Sequence, residues 1–362
     1  MIQRNFLYGL LISVASLSAC SNDEIETDNS NNIRFNFDTE IINEIKTRAS
    51  IVPAGKYAAN KPLRVLAVKD EGGTAAAVFD TNGVSKNHTT TTNGANTEVN
   101  TEVKWPNHAL NFHAFSSATY PASWDVPAST TTFNAGTYTN TGEVDLLYAK
   151  SGEREGPAAV ELTLNHLLSR ITFQIKKAGF KDGVDVQLKK LTLIGAYTKA
   201  DGSFGTIADD ATSPDLPIKA SASKSFSWAN LTTPENFVLD YTSAPETPVD
   251  IKTSFVDANN KAIYLTFTAA AGDGDSWFML PHSLDDFGTD TKLKIEYTVG
   301  TAPFEYTFEL KTLKDKDKNP IATPWRMGEW TNYQITINAH YITFNPITVT
   351  DWGKAIDKEL HI

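Results

Sequence analysis

Apolar and polar residues alternate in short runs along most of this chain, the period-two signature of strands that bury one face. The first run is Ile33-Arg34-Phe35-Asn36-Phe37-Asp38, with Ile33, Phe35 and Phe37 on one side and the polar residues on the other. It stands alone, followed by a stretch to Ser50 without strand patterning. From Pro53 onward such runs recur between Gly, Pro, Asn and Asp clusters: 63–68, 160–164, 171–175, 188–194, 263–267 and 292–297. Only Asn165–Arg170 offers a turn or two of helix. Two Thr- and Asn-rich segments, Thr89–Thr101 and Ser129–Thr141, read as exposed loops because they lack apolar content. Many short strands with turn signals between them predict an all-β architecture of sandwich type.

Composition narrows the reading. The chain has 362 residues, enough for two domains, and 41% of them are hydrophobic. The best seam is the Lys- and Gly-rich stretch 176–183, dividing an N-terminal unit, 49–178, from a C-terminal one, 179–362. Thirty-two Lys and Arg against 43 Asp and Glu give a net charge of -11, which argues against a nucleic-acid partner. One Cys excludes an internal disulfide framework and any multi-cysteine metal site.

That Cys sits in a telling place. Arg4, an apolar stretch from Phe6 to Val14 and small residues after it form a secretory signal, residues 1–19. The signal ends Leu17-Ser18-Ala19-Cys20, which resembles the bacterial lipoprotein box and makes Cys20 the lipidated first residue of the processed chain. The acidic stretch after it, Ser21–Asp28, suits a solvated tether and resembles the export signals of Bacteroidota surface lipoproteins. Residues 20–48 are then tether plus the isolated strand, held at an outer membrane by lipid.

No catalytic motif is present. There is no Gly-x-Ser-x-Gly, Walker loop, His-Glu-x-x-His or Gly-x-Gly-x-x-Gly after a strand. Asp273-Gly274-Asp275 lacks the later ligands of a calcium loop, and His113 and His166 sit among apolar strand residues, where a hydrogen-bonded structural role is expected. The expectation is a non-enzyme without cofactor or metal.

Five segments in order resemble the fimbrillin family, the pilin subunits of Bacteroidota type V pili. They are Trp105-Pro106 with Leu110–Ser116; Asp145–Ala149; Val160–Ile171; Phe278–Pro281, followed by His282 where the family has Gln; and Trp330–Ile337 with Ile347–Trp352. The resemblance implies two tandem transthyretin-like β-sandwich domains, an outer-membrane lipoprotein precursor and a final place in a cell-surface fimbria. It further implies cleavage by an arginine-specific, trypsin-like protease, for which Thr47-Arg48-Ala49 is the matching position, so that Ala49 begins the mature chain. Other pilin subunits are the implied partners, and surface glycans or proteins the implied adhesion ligands.

Loss of the leader would expose the trough filled by Ile33, Phe35 and Phe37, and a strand from another subunit would fill it. The candidate donor region is 333–352: Ile342-Thr343-Phe344-Asn345 repeats the Ile-x-Phe-Asn of Ile33–Asn36, and Ile347 and Val349 follow. From a different class, a glycan-binding surface lipoprotein that does not polymerise remains open. For it Trp124, Trp228 and Trp277, read as lying near loops, are the residues of interest.

Overall fold

The computed structural model describes residues 32–39, 64–71, 74–80, 97–105, 107, 109–117, 120, 133–151, 153–204, 226–242, 248–265, 267–269, 272–274, 276–287 and 290–351. Among them the chain forms strands joined by turns, with one short 3-10 turn at Leu310–Thr312. The all-β class expected from the sequence is what the chain adopts. The strands are β1 (Asn32–Thr39), β2 (Arg64–Glu71), β3 (Thr74–Asp80), β4 (Thr97–Lys104), β5 (Asn111–Phe115), β6 (Phe133–Thr139), β7 (Leu147–Lys150), β8 (Val160–His166), β9 (Ser169–Ala178) and β10 (Val186–Phe204). They continue with β11 (Phe226–Asp240), β12 (Val249–Asp250), β13 (Phe267–Ala269), β14 (Gly272–Gly274), β15 (Ser276–Met279), β16 (Lys292–Val299), β17 (Ala302–Glu309), β18 (Glu329–Asn338), β19 (Ile342–Phe344) and β20 (Thr348–Asp351).

Seven strands form one sheet in the order β3-β2-β5-β7-β8-β1-β4. It cannot be flat. Phe35 on β1 meets Phe112 on β5 edge-to-face at 5.1 Å, whereas three strand spacings in a flat sheet would separate them by about 14 Å. The sheet therefore curls until β1 and β5 face each other across a core of Ile33, Phe35, Val65, Phe112, Leu147, Val160 and Leu162. Burial follows from this curl. Strand β8 alternates, with Val160, Leu162 and Leu164 buried and Glu161 and Thr163 exposed. Strands β5 and β7 are buried on both faces, because Phe115 and Tyr148 enter a second cluster with Phe226, Trp228, Phe278 and Leu280.

Of the remaining strands, β13 and β14 pair only with each other, and the others form two further layers around the largest cluster. One layer has the order β11-β10-β16-β17, with β12 and β6 also on β10; the other has β15-β9-β18-β19, with β20 also on β18. Leu188 and Leu191 on β10 both face this core although three residues apart, because the register shifts between Leu188 and Lys190 opposite β16. Strand β9 pairs with β15 and β18, both late in the chain. The β10–β11 ribbon reaches from one cluster to the other: Leu191 and Leu193 enter the largest core, while Ala200, Phe226 and Trp228 enter the one against β5 and β7.

Several local expectations are corrected. Residues 97–101 belong to β4 and residues 133–139 to β6, not to loops. Thr and Asn accept the extended state when a neighbour offers a ladder, and here β1 and β10 do so. Asn165–Arg170 holds no helical turn; β8 runs to His166 and β9 starts at Ser169. Residues 263–265 are not a strand. They fold back on Phe255 through Ile263 N–H to Phe255 O at 2.8 Å, and Gln174 Nε2 donates to the carbonyls of both Phe255 and Ile263. Trp228 and Trp277 are not loop residues either: they lie on β11 and β15, 8% and 6% exposed, with Trp228 Nε1 donating to Leu167 O.

Candidate functional site

Strand β1 arrives from a sequence-distant N-terminal segment and ends up inside a sheet. On one side it runs parallel to β8, with Phe35 opposite Val160 and Phe37 opposite Leu162. On the other it runs antiparallel to β4, with Phe35 opposite Val99 and Phe37 opposite Thr97. Alternation turns Ile33 and Phe35 inward, and both are 0% exposed. Arg34 points outward, where its Nη2 donates to Pro157 O at 3.3 Å.

Phe35 rests on Phe112, which is itself met edge-on by Trp105 at 5.7 Å. Trp105 is fixed from behind by Gly156, where an added Cβ would come within 2.2 Å of the indole. Burial of side chains the size of Ile33 and Phe35 contributes about 1.5–3 kcal/mol each. Without β1, the inner edge of β8 loses its backbone partners from Val160 to Leu164, and the apolar floor of Phe112, Val160 and Leu162 is uncovered. The arrangement can thus hold an extended segment by a ladder on each side and by two deep apolar positions two residues apart.

Cys20, Arg48 and Ala49 lie outside the described residues; in the chain, Arg48 follows the last residue of β1, Thr39, with eight residues between them. Phe37 is placed on β1 by its pairing, opposite Leu162. The candidate donor residues lie near the other end of the chain and belong to another cluster. Ile342 and Phe344 are on β19, and Val349 is on β20, both strands pairing with the same side of β18. Phe344 is 2% exposed and packs edge-on against Phe308 at 4.9 Å, inside the largest cluster. Ile342 and Ile347 are half-buried against that cluster. Asn345 is tied to Gln334 by its backbone N–H to Gln334 O at 2.9 Å and by its side chain at 3.3 Å. The structure therefore brings Ile33 and Phe35 together with β8 and β4, and keeps Ile342 and Phe344 folded on their own core.

The buried histidines among the described residues are held by hydrogen bonds. His113 Nδ1 lies 2.9 Å from Tyr148 Oη, and His166 Nδ1 lies 2.8 Å from Asp145 Oδ2, both fully inside. Among the described residues no group of His, Cys, Asp or Glu could hold a metal ion, and no helix is long and apolar enough to cross a membrane. Trp105, Trp228, Trp277, Trp325 and Trp330 are all buried, so none of them offers a ring face to a sugar; Trp124 lies outside the described residues. The part of the site that sequence reasoning missed is β4. Its Thr- and Asn-rich composition carries little apolar signal, and Val99, opposite Phe35, and Val103 are the two residues that could have hinted at it.

A family model described as fimbrillin-like matches residues 47–352. No curated protein matches the chain. Similar solved structures include a candidate cell adhesion protein from Bacteroides uniformis, 12% identical, covering 89% of this chain and 98% of its own, with a TM-score of 0.45. A fimbrial protein from Bacteroides vulgatus is 16% identical over 88% of this chain and 99% of its own, with a TM-score of 0.44. A fimbrial assembly protein from Parabacteroides distasonis is 11% identical over 88% and 99%, with a TM-score of 0.39.

Proposed function

The chain belongs to the fimbrillin-like family, and on that premise we propose that it is a structural subunit of a cell-surface fimbria that polymerises by strand exchange. In this reading Cys20 anchors the precursor by lipid at the outer membrane, and a trypsin-like protease cuts between Arg48 and Ala49. Strand β1 then leaves with the leader, and the segment carrying Ile342, Phe344, Ile347 and Val349 from a second subunit takes its place. The body of the subunit is two tandem transthyretin-like sandwich domains, and its work is assembly and adhesion rather than catalysis.

The observation that supports this most is the setting of β1. A strand joined to the rest of the chain only through the segment that contains Arg48 lies between two others with Ile33 and Phe35 fully buried. A terminal strand with no exchange role could sit at an edge, where losing it would cost little. This one is paired on both sides and covers an apolar floor that its loss would uncover, which is the setting donor-strand complementation uses.

The test is maturation of the purified precursor by an arginine-specific, trypsin-like protease, which leaves the nearby Lys46 uncut. The expected result is loss of everything up to Arg48 by intact mass, followed by a heat-sensitive ladder on denaturing gels. The Arg48→Ala chain should show neither. Polymers whose subunits still contain residues 32–39 would overturn the exchange.

A further inference from the structure

Strand β4 stands at the end of its sheet, and its one strand neighbour among the described residues is β1. The ladder between them runs from Asn32 opposite Lys104 to Phe37 opposite Thr97. Strand β8, by contrast, keeps β7 on its other side, through Leu147 opposite His166 and Tyr148 opposite Asn165. Departure of β1 therefore has unequal effects on its two neighbours. One remains built into the sheet, and the other loses its entire backbone ladder.

One end of β4 nevertheless stays fixed. Trp105 follows directly after Lys104, is 7% exposed and belongs to the inner core, held edge-on against Phe112 and backed by Gly156. Neither Phe112 nor Gly156 belongs to β1. A strand whose ladder is lost while its C-terminal end stays anchored can swing about that anchor.

Resting on the strand-exchange reading, we propose that β4 is a clasp hinged at Trp105, which comes loose when β1 leaves and closes over the segment that replaces it. The occupant is an extended segment of a second copy of this chain. Its requirements are set by the two sides of the slot: a free backbone edge toward β8, a second toward β4, and large apolar side chains two residues apart for the sites of Ile33 and Phe35. Entry then needs no threading between two rigid strands. The segment first pairs with the standing edge of β8, and β4 folds down on it afterwards, so part of the complementation ladder forms only once the right strand is in place.

Hydrogen exchange resolved to single peptides tests this on the full chain carrying a site-specific protease sequence across residues 43–49. Three states are compared: intact, cut with the leader fragment washed out, and refilled with a synthetic peptide of residues 340–351. The expected result is that amides of Thr97–Lys104 exchange at least tenfold faster in the emptied chain, while those of β5, β7 and β18 are unchanged. Protection should return on refilling. Unchanged protection of β4 in the emptied chain overturns the clasp. Binding of the peptide with β4 still fast also overturns it, yet leaves strand exchange standing. If no peptide binds, the exchange reading falls and the clasp, left without an occupant, falls with it.

Should the emptied chain unfold, Val99→Pro in the intact chain asks the same question, since Val99 pairs with Phe35 in the ladder to β1. Exchange of the remaining β4 amides is expected to rise tenfold with β8 unaffected, and a rise below twofold overturns the proposal.

Discussion

The imidazole of His282 lies between the rings of Tyr197 and Phe287, 5.4 and 5.7 Å away, with Trp325 edge-on at 5.1 Å. The backbone N–H of Tyr197 donates to Nε2 at 3.1 Å, so the ring proton sits on Nδ1 and is donated to Leu280 O. Burial pushes its pKa down to about 4, against the weaker opposing pull of the Leu280 carbonyl and of Asp286. His113 is pushed down to about 3, by burial first and then by the charge of Lys150. In both cases the folded state binds its proton later than the unfolded state does. Their contribution is therefore complete above the ordinary histidine range and is lost as pH falls toward 4 and then 3. Each should add about 1.4 kcal/mol per pH unit to the acid sensitivity of stability within that window. His282→Gln keeps an acceptor for Tyr197 and a donor for Leu280 but cannot take up a proton. Urea melts of that variant between neutral pH and pH near 4 should show a slope shallower by about one proton. At the slot, Phe35→Ala should lower the stability of the intact chain by about 3–5 kcal/mol, read from the same melts. A loss below about 1 kcal/mol would mean that the inner core closes without β1.

Among elements, legibility depended on how a strand earns its place. Strands β1, β8 and β16 bury one face and announce it by alternation, so Ile33 and Phe35, or Leu293 and Ile295, could be assigned from the residue order alone. Strands β4 and β6 are extended because a neighbour recruits them, and a run such as Thr-Glu-Val-Asn-Thr-Glu-Val-Lys does not record who that neighbour is. The excursion at 255–265 misled for the converse reason: it has strand vocabulary but turns back on itself, with Ile263 N–H on Phe255 O and the Gln174 side chain holding both carbonyls. The donor segment shows the same limit at the site. An Ile-x-Phe pattern states that two side chains want cover, not which core supplies it, and Phe344 is covered by its own. The two positions should accordingly behave differently. Phe344→Asp places a carboxylate in that core and should destabilise the subunit by several kcal/mol, about 3 or more. Ile342→Asp, at a half-buried site, should leave a folded monomer that does not assemble, seen as a normal thermal melt without a ladder on gels. Normal polymers from Ile342→Asp would remove Ile342 from the donor.

For the whole molecule, the candidate slot and the candidate donor sit in different clusters, so one subunit can offer its tail while still accepting another's. Release of β19 and β20 should uncover the edge of β18 and the face of Phe308, and dye binding to exposed apolar surface is expected to rise on maturation and fall again as polymers form. A chain matured under conditions that block assembly should hold the high signal; a flat signal throughout would mean that the tail never leaves its own core. The β10–β11 ribbon matters once subunits are joined. Its two strands are paired from Lys190 with Asp240 to Phe204 with Phe226, and they pass through both clusters without a break in the chain. Tension applied along that ribbon would run lengthwise down covalent backbone, and separating the two clusters would mean dragging Leu191 and Leu193, or Phe226 and Trp228, sideways out of their packing. Such a subunit resists pulling by shear, in the manner of a splint laid across a joint.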